Sequence, residues 1–151
     1  MVRITVEALP ILCFQCYGKS TKADIDMIRP YYERAIRSGK FIALSDARYA
    51  SNDADQRRMW AGWLAEFNEL DAQRRCIATV LMLDSALLRG ALIALNWITP
   101  SQAPQHVVGP DAEALEECRS IVQKQALEVA ASAWGKINLW LGESHQYRNQ
   151  R

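Results

Sequence analysis

What this chain has little of narrows it before any motif does. Its formal charge is +1, from 18 basic and 17 acidic residues, so it lacks the basic excess of a dedicated nucleic-acid binder. Only two histidines occur, His106 and His145. A cysteine–histidine nucleophile pair would need one of them beside a partly exposed cysteine. Neither a GxGxxG nor a GxxxxGKS/T glycine loop is present, so the common phosphate cradles are missing. The strongly apolar stretch from Ile77 to Leu95 is interrupted by Asp84 and Arg89, which argues against a membrane span. The opening MVRITVEALPILCFQCYG alternates apolar side chains with Arg3, Thr5 and Glu7; it does not read as a secretion signal. The expectation is a cytoplasmic protein.

What is present fits one globular domain. Half of the 151 residues are hydrophobic and 23% are charged, enough apolar surface for a core without disulfides and too much for extensive disorder. The four cysteines stand at irregular positions, 13, 16, 76 and 118, as reduced, buried thiols of a reducing compartment do.

The stretch ILCFQC, residues 11 to 16, raises a redox or zinc question. In a strand, Cys13 and Cys16 point to opposite faces and cannot share a metal. A redox pair starts at a helix N-terminus, and no helix begins at Cys13. A zinc site would want a second pair, and Cys76 and Cys118 stand alone. CFQC therefore reads as core strand, with no metal or cofactor implied.

Along the chain, Val2, Ile4 and Val6 alternate as a half-buried strand, Pro10 turns it, and Ile11 to Tyr17 forms its hairpin partner. Ser20 or Thr21 caps a helix over 22–38, with Pro30 expected to kink it or delay its start. The apolar run 41–46 suits a strand buried on both faces, followed by a loop to Asp53. A helix then extends to about Gln73 with Met59, Trp60, Trp63, Leu64, Phe67 and Leu70 at helical spacing. Cys76 to Leu83 is a second buried strand, Asp84-Ser85 caps an apolar helix over 86–98, and His106 opens a short strand. The predicted fold class is α/β: a β-hairpin, then alternating helices and strands in a mixed, mostly parallel sheet flanked by helices.

The last helix is predicted to run unbroken over 112–141, about 45 Å at roughly 1.5 Å per residue. Leu115, Cys118, Val122, Ala126, Ala130, Ala133, Ile137 and Trp140 make one stripe, widened by Leu127, Trp134 and Leu141. Its second half either folds back over the domain or packs on another chain. Ala130, Trp134, Ile137, Trp140 and Leu141 are the self-association candidates, with a homodimer expected. The division is a domain over 1–124, a helix extension over 125–142 and a frayed polar tail over 143–151.

Candidate chemistry is thin. Asp46 and Asp84 end buried strands, where open α/β sheets place ligands. With no third acid in register, both read better as loop and cap residues. No catalytic set assembles.

The stretches GKFIALSDAR, RRCIATVLMLDSALLRGALIALNW and QHVVGPDAEALE, in this order of elements, resemble the SpoIIAA-like branch of the STAS superfamily over roughly residues 1–124. The resemblance implies a regulatory, non-enzymatic interaction fold. It also implies a phosphorylatable serine in the loop after the Asp-ended strand, where Ser51 is nearest and the usual Asp-Ser-Ser-Gly arrangement is absent; Ser51 reads better as a helix cap.

The leading expectation is a bacterial, cytoplasmic interaction module of signalling or cell organisation. It docks a protein partner through the loop 46–53 and the helix behind it, with Asp46, Arg48, Tyr49, Ser51, Asp53, Arg57 and Arg58 as contact residues. The alternative is a small-molecule or lipid binder with a pocket near Asp84, Ser85 and Arg89, whose guanidinium could meet a phosphate or carboxylate.

Overall fold

The computed structural model describes residues 1–147; the end of the expected polar tail, 148–151, lies outside the described residues. The elements are β1 (Val2–Thr5), β2 (Ile11–Gly18), α1 (Lys22–Ser38), β3 (Phe41–Ala50), α2 (Ala54–Leu70), β4 (Cys76–Met82), α3 (Ala86–Ile98), β5 (Gln105–Val108), α4 (Asp111–Lys124) and α5 (Ala131–Tyr147). They form one five-stranded sheet in the order β1-β2-β3-β4-β5. β1 pairs antiparallel with β2, and every later pair is parallel.

This order decides where the helices go. Right-handed crossovers between successive parallel neighbours, all stepping the same way, put every crossover helix on the same face. α1, α2 and α3 accordingly lie together. Ile28 and Ala35 of α1 and Phe67 of α2 pack with Leu12, Cys16, Phe41 and Ala43 of the sheet. The opposite face is equally apolar. Its register rows run Ile11–Ile42–Ala78 and Cys13–Leu44–Val80, all buried, and they need a second cover.

α4 and α5 supply that cover as a helical hairpin. Ala114, Cys118 and Ile121 of α4 and Ala133, Ile137, Trp140 and Leu141 of α5 join one core with those rows. The single helix over 112–141 is therefore corrected to two, and its second half folds back. The break has a defined geometry. The Leu127 N–H donates to the Val122 carbonyl at 3.0 Å and the Ala126 N–H to the Gln123 carbonyl at 3.3 Å, with Ala126 at φ +50°. This is a Schellman ending, with Leu127 and Val122 meeting on the core as such endings favour.

Of the self-association residues, Ile137, Trp140 and Leu141 are buried in the chain's own core. Trp134 lies half-buried, with the Arg119 guanidinium 5.1 Å from its ring centre. Only Ala130 is exposed. Most of that stripe is spent on the domain's own core. The expected frayed tail is corrected too, because Glu143, Ser144 and His145 belong to α5.

Other expectations hold in detail. Thr21 closes a capping box with Asp24, and α1 carries Pro30 without ending there. Ser85 caps α3, accepting the Leu88 N–H. α2 ends at Leu70 rather than near Gln73, and the Asp71 carboxylate takes the Arg75 and Cys76 N–H groups at 2.6 and 2.8 Å to launch β4.

Ala126 holds a left-handed backbone that costs an L-residue about 1–2 kcal/mol and glycine almost nothing. Ala126→Gly is expected to raise the thermal midpoint by about 2–4 °C, read by calorimetry. A lower midpoint would mean that the chain turns elsewhere.

Candidate functional site

The carboxyl edge of the parallel strands gathers the predicted contact residues, but not as one loop. β3 continues to Ala50, pairing Tyr17 with Tyr49 and Gly18 with Ala50 across a bulge. The loop expected over 46–53 shrinks to Ser51–Asp53. Strand pairing wins because β2 extends equally far and offers backbone partners; the Ser51 N–H still reaches the Gly18 carbonyl at 2.8 Å.

Asp46 and Arg48 are corrected as partner contacts, since Asp46 is 1% exposed and the Arg48 side chain 6%. Arg48 grips Asp46 in a fork, donating from Nε at 2.9 Å and Nη2 at 2.8 Å. Its Nη1 meets Asp111 of α4 at 2.8 Å. Gln15 donates to Asp46 at 3.3 Å, Tyr17 donates to Gln15 at 2.7 Å, and Arg48 reaches Ser144 of α5 at 3.4 Å. Burial works against the Arg48 charge, but the hydrogen bonds and charge of Asp46, then Asp111, more than offset it and hold the pKa above its usual range. Tyr49 is half-buried, stacked on Tyr17 with ring centres 6.2 Å apart. This cluster fastens strands to helices and holds Asp46 and Arg48 away from the surface.

What remains at the surface is the rim. Asp53 caps α2 by accepting the Gln56 N–H at 3.0 Å and pairs with Lys19 at 2.9 Å. The hydrogen bond from Lys19, then that from Gln56, holds its carboxyl below the ordinary range. Buried Gln56, which the sequence did not single out, clamps the turn before α1: its side chain accepts the Ser20 N–H at 2.8 Å and donates to the Ser20 carbonyl at 3.0 Å. Ser51 is therefore no cap. Arg57 is half-buried, with its guanidinium on the Asn52 carbonyl, and Arg58 is exposed beside Asp55. Lys19, Ser51 and Asn52 share a cleft with Leu87 and Leu88 of α3.

α3 is the unusual element. It is apolar nearly all round, yet none of its residues is buried. Leu88, Ala91, Leu92 and Leu95 face inward over a cavity of about 190 Å³. Leu87, Ile93, Trp97 and Ile98 face solvent, Leu87 72% and Trp97 84% exposed. The cavity lies between α3, the aromatic face of α2 and the sheet, so Trp60, Trp63 and Phe67 line a space as well as a core. The pocket expected at Asp84 and Arg89 is corrected in place. Both residues are exposed and outside the cavity wall, and Ser85 is occupied as a cap. The Asp84-Ser85 cap and the apolar run marked Ala86–Ile98 as an apolar helix; its scarcity of polar residues was the readable sign that both sides have something to meet.

Among the described residues no cluster of three or more His, Cys, Asp or Glu is arranged to hold a metal, and no helix is long and apolar enough to cross a membrane. His106 pairs with Glu117 and His145 with Asp111, each at 2.8 Å.

Two solved structures match this architecture. One is an uncharacterised protein of the DUF3478 family with a SpoIIAA-like fold from Shewanella loihica PV-4, 18% identical, covering 78% of this chain and 93% of that one at a TM-score of 0.58. The other is the anti-sigma factor antagonist SpoIIAA in its unphosphorylated form, 16% identical, covering 79% and 98% at 0.55. The chain has the SpoIIAA-like fold. No protein-family model matches it, and no curated protein matches it in sequence.

The four thiols are free and buried. Burial pushes Cys76 up to about 11 and Cys118 up to about 12, and raises Cys13 and Cys16 further. At pH 8 a thiol of pKa 11 is thiolate in roughly one molecule per thousand. The native chain is expected to take up no iodoacetamide within an hour at pH 8 and four equivalents in denaturant, counted by mass spectrometry. Fast native alkylation of Cys13 or Cys16 would restore a chemical role to CFQC.

Proposed function

We propose that this chain is a non-catalytic regulatory module that docks a protein partner on the rim formed by the Ser51–Asp53 loop, the start of α2 and the outer face of α3. One observation carries the reading. Leu87, Ile93, Trp97 and Ile98 form an exposed apolar surface on a helix with no buried residue, and Leu87 borders the cleft shared with Lys19, Ser51 and Asn52. Contiguous exposed apolar side chains on a soluble domain mark contact surfaces, and exposed tryptophans are frequent anchors of such contacts.

The fold it shares with an anti-sigma factor antagonist supports a regulatory rather than a catalytic role. Asp53, Arg57 and Arg58 supply a mixed-charge border, which favours a partner with an apolar centre and a polar edge. Ser51 has no capping duty, and a phosphate on it would add negative charge to the cleft that holds Lys19. Four reduced thiols suit a reducing compartment, so the reading keeps the module in the bacterial cytoplasm.

The test is capture from host lysate followed by titration of the purified partner. Trp97→Asp and Leu87→Asp are each expected to weaken binding about thirtyfold or more while the thermal midpoint stays within a few degrees. A purified partner bound equally well by both variants would move the working face elsewhere, and the same titration with Arg58→Glu would then probe α2.

A further inference from the structure

At the hinge between α4 and α5, local sequence and observed backbone disagree. Residues 125–130 contain neither glycine nor proline, and Gln125, Ala126, Leu127 and Glu128 are all of good helix-forming types. The apolar spacing runs through them without a break, from Val122 by Ala126 and Ala130 to Ala133 and Ile137. Yet the chain reverses here, on an alanine at φ +50°, a left-handed backbone that disfavours any residue with a Cβ. Two arrangements therefore compete at this segment, the observed bend and one continuous helix. Short hinges under strain are the usual places where chains exchange elements.

The bend serves to seat α5, and everything α5 sits on precedes the hinge. Ile137, Trp140 and Leu141 share a core with Ile11, Ile42, Leu44 and Val80 of the sheet. Glu143 pairs with Arg3, and Lys136 reaches the Glu7 carbonyl at 3.4 Å. Ser144 and His145 complete the cluster of Arg48 and Asp111. A second copy offers the same groups in the same places. A straight helix over 111–147 would be about 55 Å long at roughly 1.5 Å per residue, against about 33 Å for the ten-residue β3. Straightening thus carries α5 off its own sheet and leaves that face open to the α5 of another copy.

We propose that α5 is an exchangeable element: with residues 125–130 helical, it seats on a second copy of this chain and receives that copy's α5 in return, closing a twofold dimer. The contacts of α5 are then the same as in the closed chain, made between chains instead of within one, and each Arg48–Asp111 cluster takes its serine and histidine from the other copy. Opening is slow, because Ile137, Trp140 and Leu141 must first leave the core. This goes beyond the docking reading and leaves α3 untouched.

The test joins light scattering to a cross-link. The Arg3→Cys/Glu143→Cys chain is refolded from urea at low and at high protein concentration, sized, and treated with a short bis-maleimide; the four native thiols are buried and do not compete. Positions 3 and 143 are joined within one chain in the closed form and between two chains in the exchanged form. High concentration is expected to give a dimer by scattering that stays a dimer on a denaturing gel, and low concentration a monomer on both. Ala126→Gly in the same chain is expected to weaken the dimer about a hundredfold or more, because both bends lose their strain and both straight helices gain a glycine. A chain that stays monomeric under every condition would overturn the proposal. So would a dimer that falls to monomers on the gel, since its copies would meet through another surface with α5 closed. An exchanged dimer as tight with Ala126→Gly would overturn the hinge as its cause. None of these outcomes touches the partner titration, which fails or succeeds on Leu87 and Trp97.

Discussion

A sheet whose middle strands are apolar on both faces must be covered twice, and the rest of this structure follows from how that is done. Sequential parallel pairing commits α1, α2 and α3 to one face. The other face, with Ile11, Ile42, Leu44 and Val80 in register, can be covered only by what comes after β5. The chain meets that demand by turning at Ala126 and laying α4 and α5 side by side over the rows. The Arg48 cluster then ties both covering helices to β3 through Asp111 and Ser144. Buried ion pairs often contribute little net stability, because desolvation opposes attraction; here the cluster's clearest effect is to fix which carboxylate and which helix ends meet.

Much of this was legible along the chain, and the reason differs by element. α1 and α3 carry their own signals, a Thr21 capping box and a Ser85 cap, so their bounds were readable locally. The CFQC stretch was readable because alternation in a strand separates Cys13 from Cys16 whatever the tertiary setting. The turn at Ala126 was not, because neither glycine nor proline marks it; an alanine is held at positive φ by the burial of Leu127 and Val122 on both sides of the bend. The strand beyond Asp46 was hidden for a related reason. Ala47 to Ala50 have no strong β pattern of their own, and pairing with Tyr17 and Gly18 extends β3 through them.

The candidate site shows the same limit more sharply. Arg57, Arg58 and Asp53 were placed near the rim from sequence, and Asp46 and Arg48 were placed with them. Only coordinates separate the exposed charges from the sequestered ones. The cavity is a tertiary property altogether: it lies between the sheet and two helices, α2 and α3.

These features converge on α3. It caps a cavity with one side and presents Leu87 and Trp97 to solvent with the other, and it buries no residue of its own. The account holds that this helix is the loosely held, working element, while α4 and α5 are core. Amide hydrogen exchange of the native chain tests that directly. The account predicts amides of Ala86–Ile98 exchanging about a hundredfold or more faster than those of the Ile137–Leu141 segment, as expected where few apolar groups are buried. Equal protection of α3 and α5 would contradict it, and would make α3 one more structural layer of the domain.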